Sequence, residues 1–100
     1  MRIKYQPRVI RNLGEIQAHY QTVGGKKLAL RMVLNIRQAV LHLAENPFLA
    51  PAYELAPDLR RLVVAKGAFL VFYRVSDHVQ VVYIRRAERQ PLNENESAPE

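Results

Sequence analysis

The spacing of the apolar residues changes period once along this chain, and that change constrains the fold more than any single motif. Val9, Leu13, Ile16 and Tyr20 recur at helical spacing and predict a helix over residues 8–23. Gly24-Gly25 breaks it and permits a tight reversal. A second helix follows over 26–45, where Ala29, Met32, Val33, Ile36, Val40 and Leu43 form one stripe. Leu30, Leu34 and Leu41 widen that stripe, which predicts contact on two sides, with the first helix and with a sheet. So short a link makes the two helices an antiparallel hairpin. Asn46-Pro47 closes the second helix, because proline disfavours helical geometry in the residue before it.

Beyond the hairpin the period becomes two. Leu59 to Ala65, Ala68 to Val75 and His78 to Arg85 are rich in Val, Phe and Tyr and are separated by Lys66-Gly67 and Ser76-Asp77. Both links are short enough for hairpin turns, so the three segments predict an antiparallel meander. Ile3-Lys4-Tyr5 reads as a further short strand closed by Pro7. Residues 47–58, with Pro47, Pro51 and Pro57, read as an ordered loop. The order β-α-α-β-β-β places a helical hairpin on one face of an antiparallel sheet, an α+β two-layer domain over residues 1–89. Its expected core joins Met32, Ile36, Val40 and Leu43 to Val71 and Tyr83. Residues 90–100, with a single large apolar residue in Leu92, are expected to form a disordered acidic tail.

A chain of 100 residues supports one domain. Fifteen Lys and Arg against nine Asp and Glu give a net charge of +6, unevenly distributed. All the cations lie in residues 1–89, where six acids leave +9, and Glu94, Glu96 and Glu100 give the tail −3. A body that basic attracts phosphate or an acidic protein segment. The absence of cysteine excludes disulfides and thiolate metal sites. That absence, an N-terminus without an apolar run and the lack of any bilayer-length segment lead to the expectation of a cytoplasmic protein that contacts no membrane. His19, His42 and His78 show no metal-ligand spacing, and Gly24-Gly25 is followed by no phosphate-loop pattern, so neither a metal nor another cofactor is expected.

Three stretches together resemble the RelE/ParE superfamily of type II toxins: Leu59-Arg60-Arg61-Leu62-Val63-Val64, Phe69-Leu70-Val71-Phe72-Tyr73-Arg74-Val75, and Val81-Val82-Tyr83-Ile84-Arg85-Arg86-Ala87-Glu88-Arg89. The Asn46-Pro47 helix end fits as well, and the likeness spans about residues 1–89. Two long helices, the Leu59–Val64 strand and the lack of a clear acid–base set bring the chain nearer the ParE branch. Arg86 stands near where many relatives carry histidine. The resemblance implies the toxin of a toxin–antitoxin pair, neutralised by a cognate antitoxin in a hetero-oligomer and acting on DNA gyrase without chemistry of its own. The RelE branch implies instead an endonuclease acting on ribosome-bound mRNA. A non-toxic basic nucleic-acid-binding module is the third reading.

Arg60, Arg74, Arg85, Arg86 and Arg89 are the candidate target-binding residues. By alternation Arg60 shares a face with Leu62 and Val64, and Arg61 with Leu59 and Val63. Arg60 is suited to bidentate phosphate binding, or to an ion pair with Glu54 or Asp58. Arg74 lies on the face of Leu70 and Phe72, opposite a Tyr73 expected in the core with a satisfied hydroxyl. Arg85 and Arg86 face opposite ways. The meander further places Arg60 and Arg86 at opposite ends of the sheet, roughly 20 Å apart, which favours an extended binding surface over one pocket. For proton transfer only Tyr83, Glu88, Lys66 and His78 lie near these strands, and none has a partner visible from spacing, so no catalytic residue is assigned.

Overall fold

A computed structural model describes residues 1–87. Strand β1 (Ile3–Tyr5) leads into helix α1 (Pro7–Gly24), helix α2 (Lys26–Glu45), and strands β2 (Ala52–Tyr53), β3 (Ala56–Val64), β4 (Phe69–Val75) and β5 (Val79–Arg86). Pro7 opens α1 at the position where a missing N–H costs nothing. Gly25 separates the helices at φ +92°, a conformation that glycine adopts without strain, and its N–H closes α1 on the Gln21 carbonyl. The Asn46 N–H ends α2 on the His42 carbonyl, one residue before Pro47.

The strands form one sheet in the order β1-β5-β4-β3-β2. The meander β3-β4-β5 is antiparallel throughout. The sheet as a whole is mixed, because the helical hairpin carries the chain across and sets β1 parallel to β5, Ile3 beside Val79 and Tyr5 beside Val81. The helices cover one face, giving the α+β two-layer architecture. The core between the layers holds Val9, Leu13 and Ile16 of α1, Ile36, Val40 and Leu43 of α2, and Phe69, Val71, Tyr73, Val79, Val81 and Ile84 of the sheet.

Four expectations need correction or limits. The 47–58 segment is not wholly loop: Ala52–Tyr53 pairs as a short edge strand, and β3 begins at Ala56 instead of Leu59. Pro57 is accommodated because β3 pairs with β4 only from Arg60 onward, so its missing N–H interrupts no inner ladder. The widened stripe of α2 does not hold either. Leu30, Leu34 and Leu41 are exposed, since α1 and the sheet both lie within the arc of Ala29, Ile36, Val40 and Leu43. Tyr83 is not in the core. A bulge puts Phe72 opposite Tyr83 but Tyr73 opposite Val81, and the extra residue, Val82, shifts the alternation by one. Tyr83 therefore emerges on the face away from the helices. The expected tail and the last part of the expected domain fall within residues 88–100, outside the described residues.

The bulge is secured from α1. Beyond the end of β1, buried Asn12 accepts the Ile84 N–H through Oδ1 at 3.0 Å, and Arg8 Nε donates to the Val82 carbonyl at 3.3 Å. Backbone groups that would stand bare at this depth are thus satisfied by side chains one helical turn apart.

Candidate target-binding site

Cross-strand partners share a face of a sheet, so the pairing register assigns every arginine of the meander to one side. Arg60 pairs with Tyr73 and Arg86 with Phe69, on the helix-covered side. Arg61 pairs with Phe72, Arg85 with Leu70 and Arg74 with Gln80, on the outer side. Arg60 and Arg86 stand four residues apart along β4, about 13 Å, and two strands across. The four described candidates, Arg60, Arg74, Arg85 and Arg86, do not converge on one pocket.

Each has its own surroundings. Arg60 forms neither of the expected ion pairs. Its Nη1 donates to the Ala50 carbonyl at 2.6 Å, and its guanidinium lies 4.8 Å from the centre of the Phe48 ring. The Tyr73 hydroxyl, fully buried, donates to the Pro47 carbonyl at 2.8 Å and accepts from the Ala50 N–H at 3.3 Å. Burial pushes the Tyr73 hydroxyl above its ordinary pKa of 10.0, against the pull of the Ala50 hydrogen bond and the Arg60 charge. Arg60 and Tyr73 together fasten the 47–51 segment to the sheet. Asp58 pairs instead with Arg74, at 3.6 Å between two exposed side chains, a geometry that contributes little in water. Arg89 lies outside the described residues.

Arg86 Nη1 lies 3.2 Å from His19 Nε2, and since a guanidinium can only donate, the ring nitrogen is the acceptor of this contact. Asn12, Glu15, Ile16, Ile84 and Arg85 complete a cleft of about 310 Å³ around this pair. Sequence reasoning missed this grouping, whose one local mark is that Glu15 and His19, four residues apart, share a face of α1. What the spacing does not reveal is that β5 delivers Arg86 to it. His78, by contrast, bonds its turn neighbour Asp77 at 2.7 Å.

Arg85 points to the outer face, its Nη1 donating to the Arg86 carbonyl at 3.3 Å. That face carries residues absent from the sequence-based candidates. Tyr53 of β2, Phe72 of β4 and Tyr83 of β5 form a row that spans β3 as well, with ring centres 5.0 Å and 5.9 Å apart. Arg8 lies 4.9 Å from the centre of Tyr83, and Arg61 lies 5.6 Å from that of Tyr53. Two clefts flank the row, of about 210 Å³ beside Arg8 and about 460 Å³ beside Arg61, and Arg85 lines both. Only the alternation of Arg61, Phe72 and Arg85 was visible in the sequence. Tyr53 sat in a segment read as loop, and Tyr83 required the bulge.

Among the described residues no helix is long and apolar enough to cross a membrane, and no group of three or more His, Asp or Glu is placed to hold a metal ion.

Comparison with known proteins places the fold. A chain of the chromosomal ParDE TA system from P. aeruginosa superposes with a TM-score of 0.78 at 27% identity, covering 87% of this chain and 96% of that one. No curated protein sequence matches. The family described as "ParE toxin of type II toxin-antitoxin system, parDE" matches residues 3–91, nearly the whole chain. On that match, with two helices laid on a β1-β5-β4-β3-β2 sheet, the chain belongs to the ParE family of type II toxins.

Proposed function

We propose that this toxin acts in the cytoplasm by binding and inhibiting DNA gyrase, and that a cognate antitoxin neutralises it within a hetero-oligomeric complex. The observation that carries the reading is the ParE family match over residues 3–91, which implies an antitoxin partner. The spread of the arginines over both faces and both ends of the sheet supports an extended protein contact over a nuclease pocket. Arg74, Arg85, Arg86 and Arg89 are the proposed target contacts. Arg60, the remaining candidate, supports them by holding the 47–51 segment through Ala50.

Purified gyrase tests the reading directly. The toxin should inhibit supercoiling and cause cleaved DNA to accumulate, and cells expressing it should mount an SOS response before translation falls. Cleavage of mRNA on purified ribosomes, with gyrase unaffected, would establish the RelE-type reading in its place. Arg85→Ala and Arg86→Ala should weaken growth arrest while antitoxin binding, measured on the same variants, is retained. Full toxicity in both would remove this strand end from the effector surface.

A further inference from the structure

Family membership leaves the outer sheet face unassigned. The row Tyr53, Phe72, Tyr83 is continuous, and Phe72, almost wholly buried, supports the half-buried tyrosines on either side. Cations are interleaved with it: Arg8 by Tyr83, Arg61 by Tyr53, and Arg85 on both flanking clefts. Among the described residues the acids near this face are Glu54, in the larger cleft, and Asp58, which is engaged with Arg74. Arg8, Arg61 and Arg85 thus leave the surface positive.

We infer that this face binds the unpaired nucleotides of a single-stranded nucleic acid, with bases against Tyr53 and Tyr83 and phosphates on Arg8, Arg61 and Arg85. Positive charge alone would suit an acidic peptide equally well. The ring row decides between them, because bases have π-faces to stack and acidic side chains have none. Guanidinium groups add both phosphate pairing and stacking on a base plane. A duplex hides its base faces, so the arrangement favours single strands. Phosphate contact is common to DNA and RNA strands, and the two are separated by experiment. The inference does not rest on the gyrase reading, since binding is measured without gyrase.

The test is fluorescence anisotropy of the full 100-residue chain with a labelled oligodeoxythymidine, the matching oligouridine, a duplex of the same length and a polyglutamate peptide. A single strand should bind more tightly than the duplex or the peptide, and the stronger of the two single strands names the natural sugar. Tyr53→Leu and Tyr83→Leu should each weaken binding by about five-fold or more, the lower end of base–aromatic stacking expressed as an affinity ratio. Tyr53→Phe and Tyr83→Phe, which keep the ring, should retain it. Arg61→Ala and Arg85→Ala should each lower the slope of log affinity against log salt by about 0.7, the value for one phosphate on a single strand. Lys27→Ala and Arg31→Ala, on the hairpin, should change neither quantity. Equal binding of duplex or polyglutamate, or leucine variants that bind as well as the parent, would overturn the inference. So would phenylalanine variants that bind as poorly as the leucine ones.

Discussion

Tyr73 and Arg60 show how much one residue pair decides in a domain of this size. Between them they satisfy the Ala50 N–H, the Ala50 carbonyl and the Pro47 carbonyl. Tyr73→Phe removes one hydroxyl and strands two backbone groups, and chemical denaturation should show a loss of about 1–3 kcal/mol. A loss well under that range would mean that water reaches the segment. The raised Tyr73 pKa also sets a pH dependence. The folded protein holds the proton more tightly than the unfolded chain, whose tyrosine titrates near 10.0. This contribution is therefore complete below pH 10.0 and is lost as pH rises through the folded value, a decline that Tyr73→Phe should blunt. Tyr5, likewise raised by burial, adds to the same alkaline decline. At the β3–β4 turn, Ala65 and Lys66 adopt φ of 55° and 56°, where a Cβ is strained. Ala65→Gly relieves that strain but adds freedom to the unfolded chain, so a net gain of up to about 1 kcal/mol is expected in thermal melts. A loss would mean that the Ala65 methyl contributes more by packing than its backbone costs.

Elements make the same sequence pattern mean different things. Helix α2 carries more leucines than its environment can cover, and only the register against α1 and the sheet separates buried Ile36 from exposed Leu34. Ile36→Ala should cost about 2–5 kcal/mol, while Leu34→Ala should stay within about 0.5 kcal/mol. Similar losses at both positions would mean that the helix face is wrongly assigned. The helices, their Gly25 break and the meander were legible because each is written in local periodicity. Strand β2 was not, because two residues carry no period. The bulge was not legible either, because an inserted residue leaves no local mark: Val81-Val82-Tyr83-Ile84 is consistent with either alternation. Only Asn12 and Arg8, distant in sequence, show which is adopted. Asn12→Leu should therefore cost about 1–3 kcal/mol by leaving the Ile84 N–H unpaired, and amide exchange at Ile84 should accelerate.

For the molecule as a whole, the two faces divide the labour. One face of the sheet is taken by the hairpin and the core, and the other gathers Arg8, Arg61 and Arg85 around a row of rings. Of these cations the sequence reading named only Arg85 as a candidate, and the grouping escaped it because Arg8 comes from a helix and Tyr53 from a two-residue strand. The pairing of β1 with β5 has a consequence for how such a protein is made. Its first strand waits for its last, as Ile3 finds its neighbour only when Val79 has been added. While the chain is still being translated, the hairpin has no Val79, Val81 or Ile84 to pack against, so the two-layer core closes only once β5 has been made.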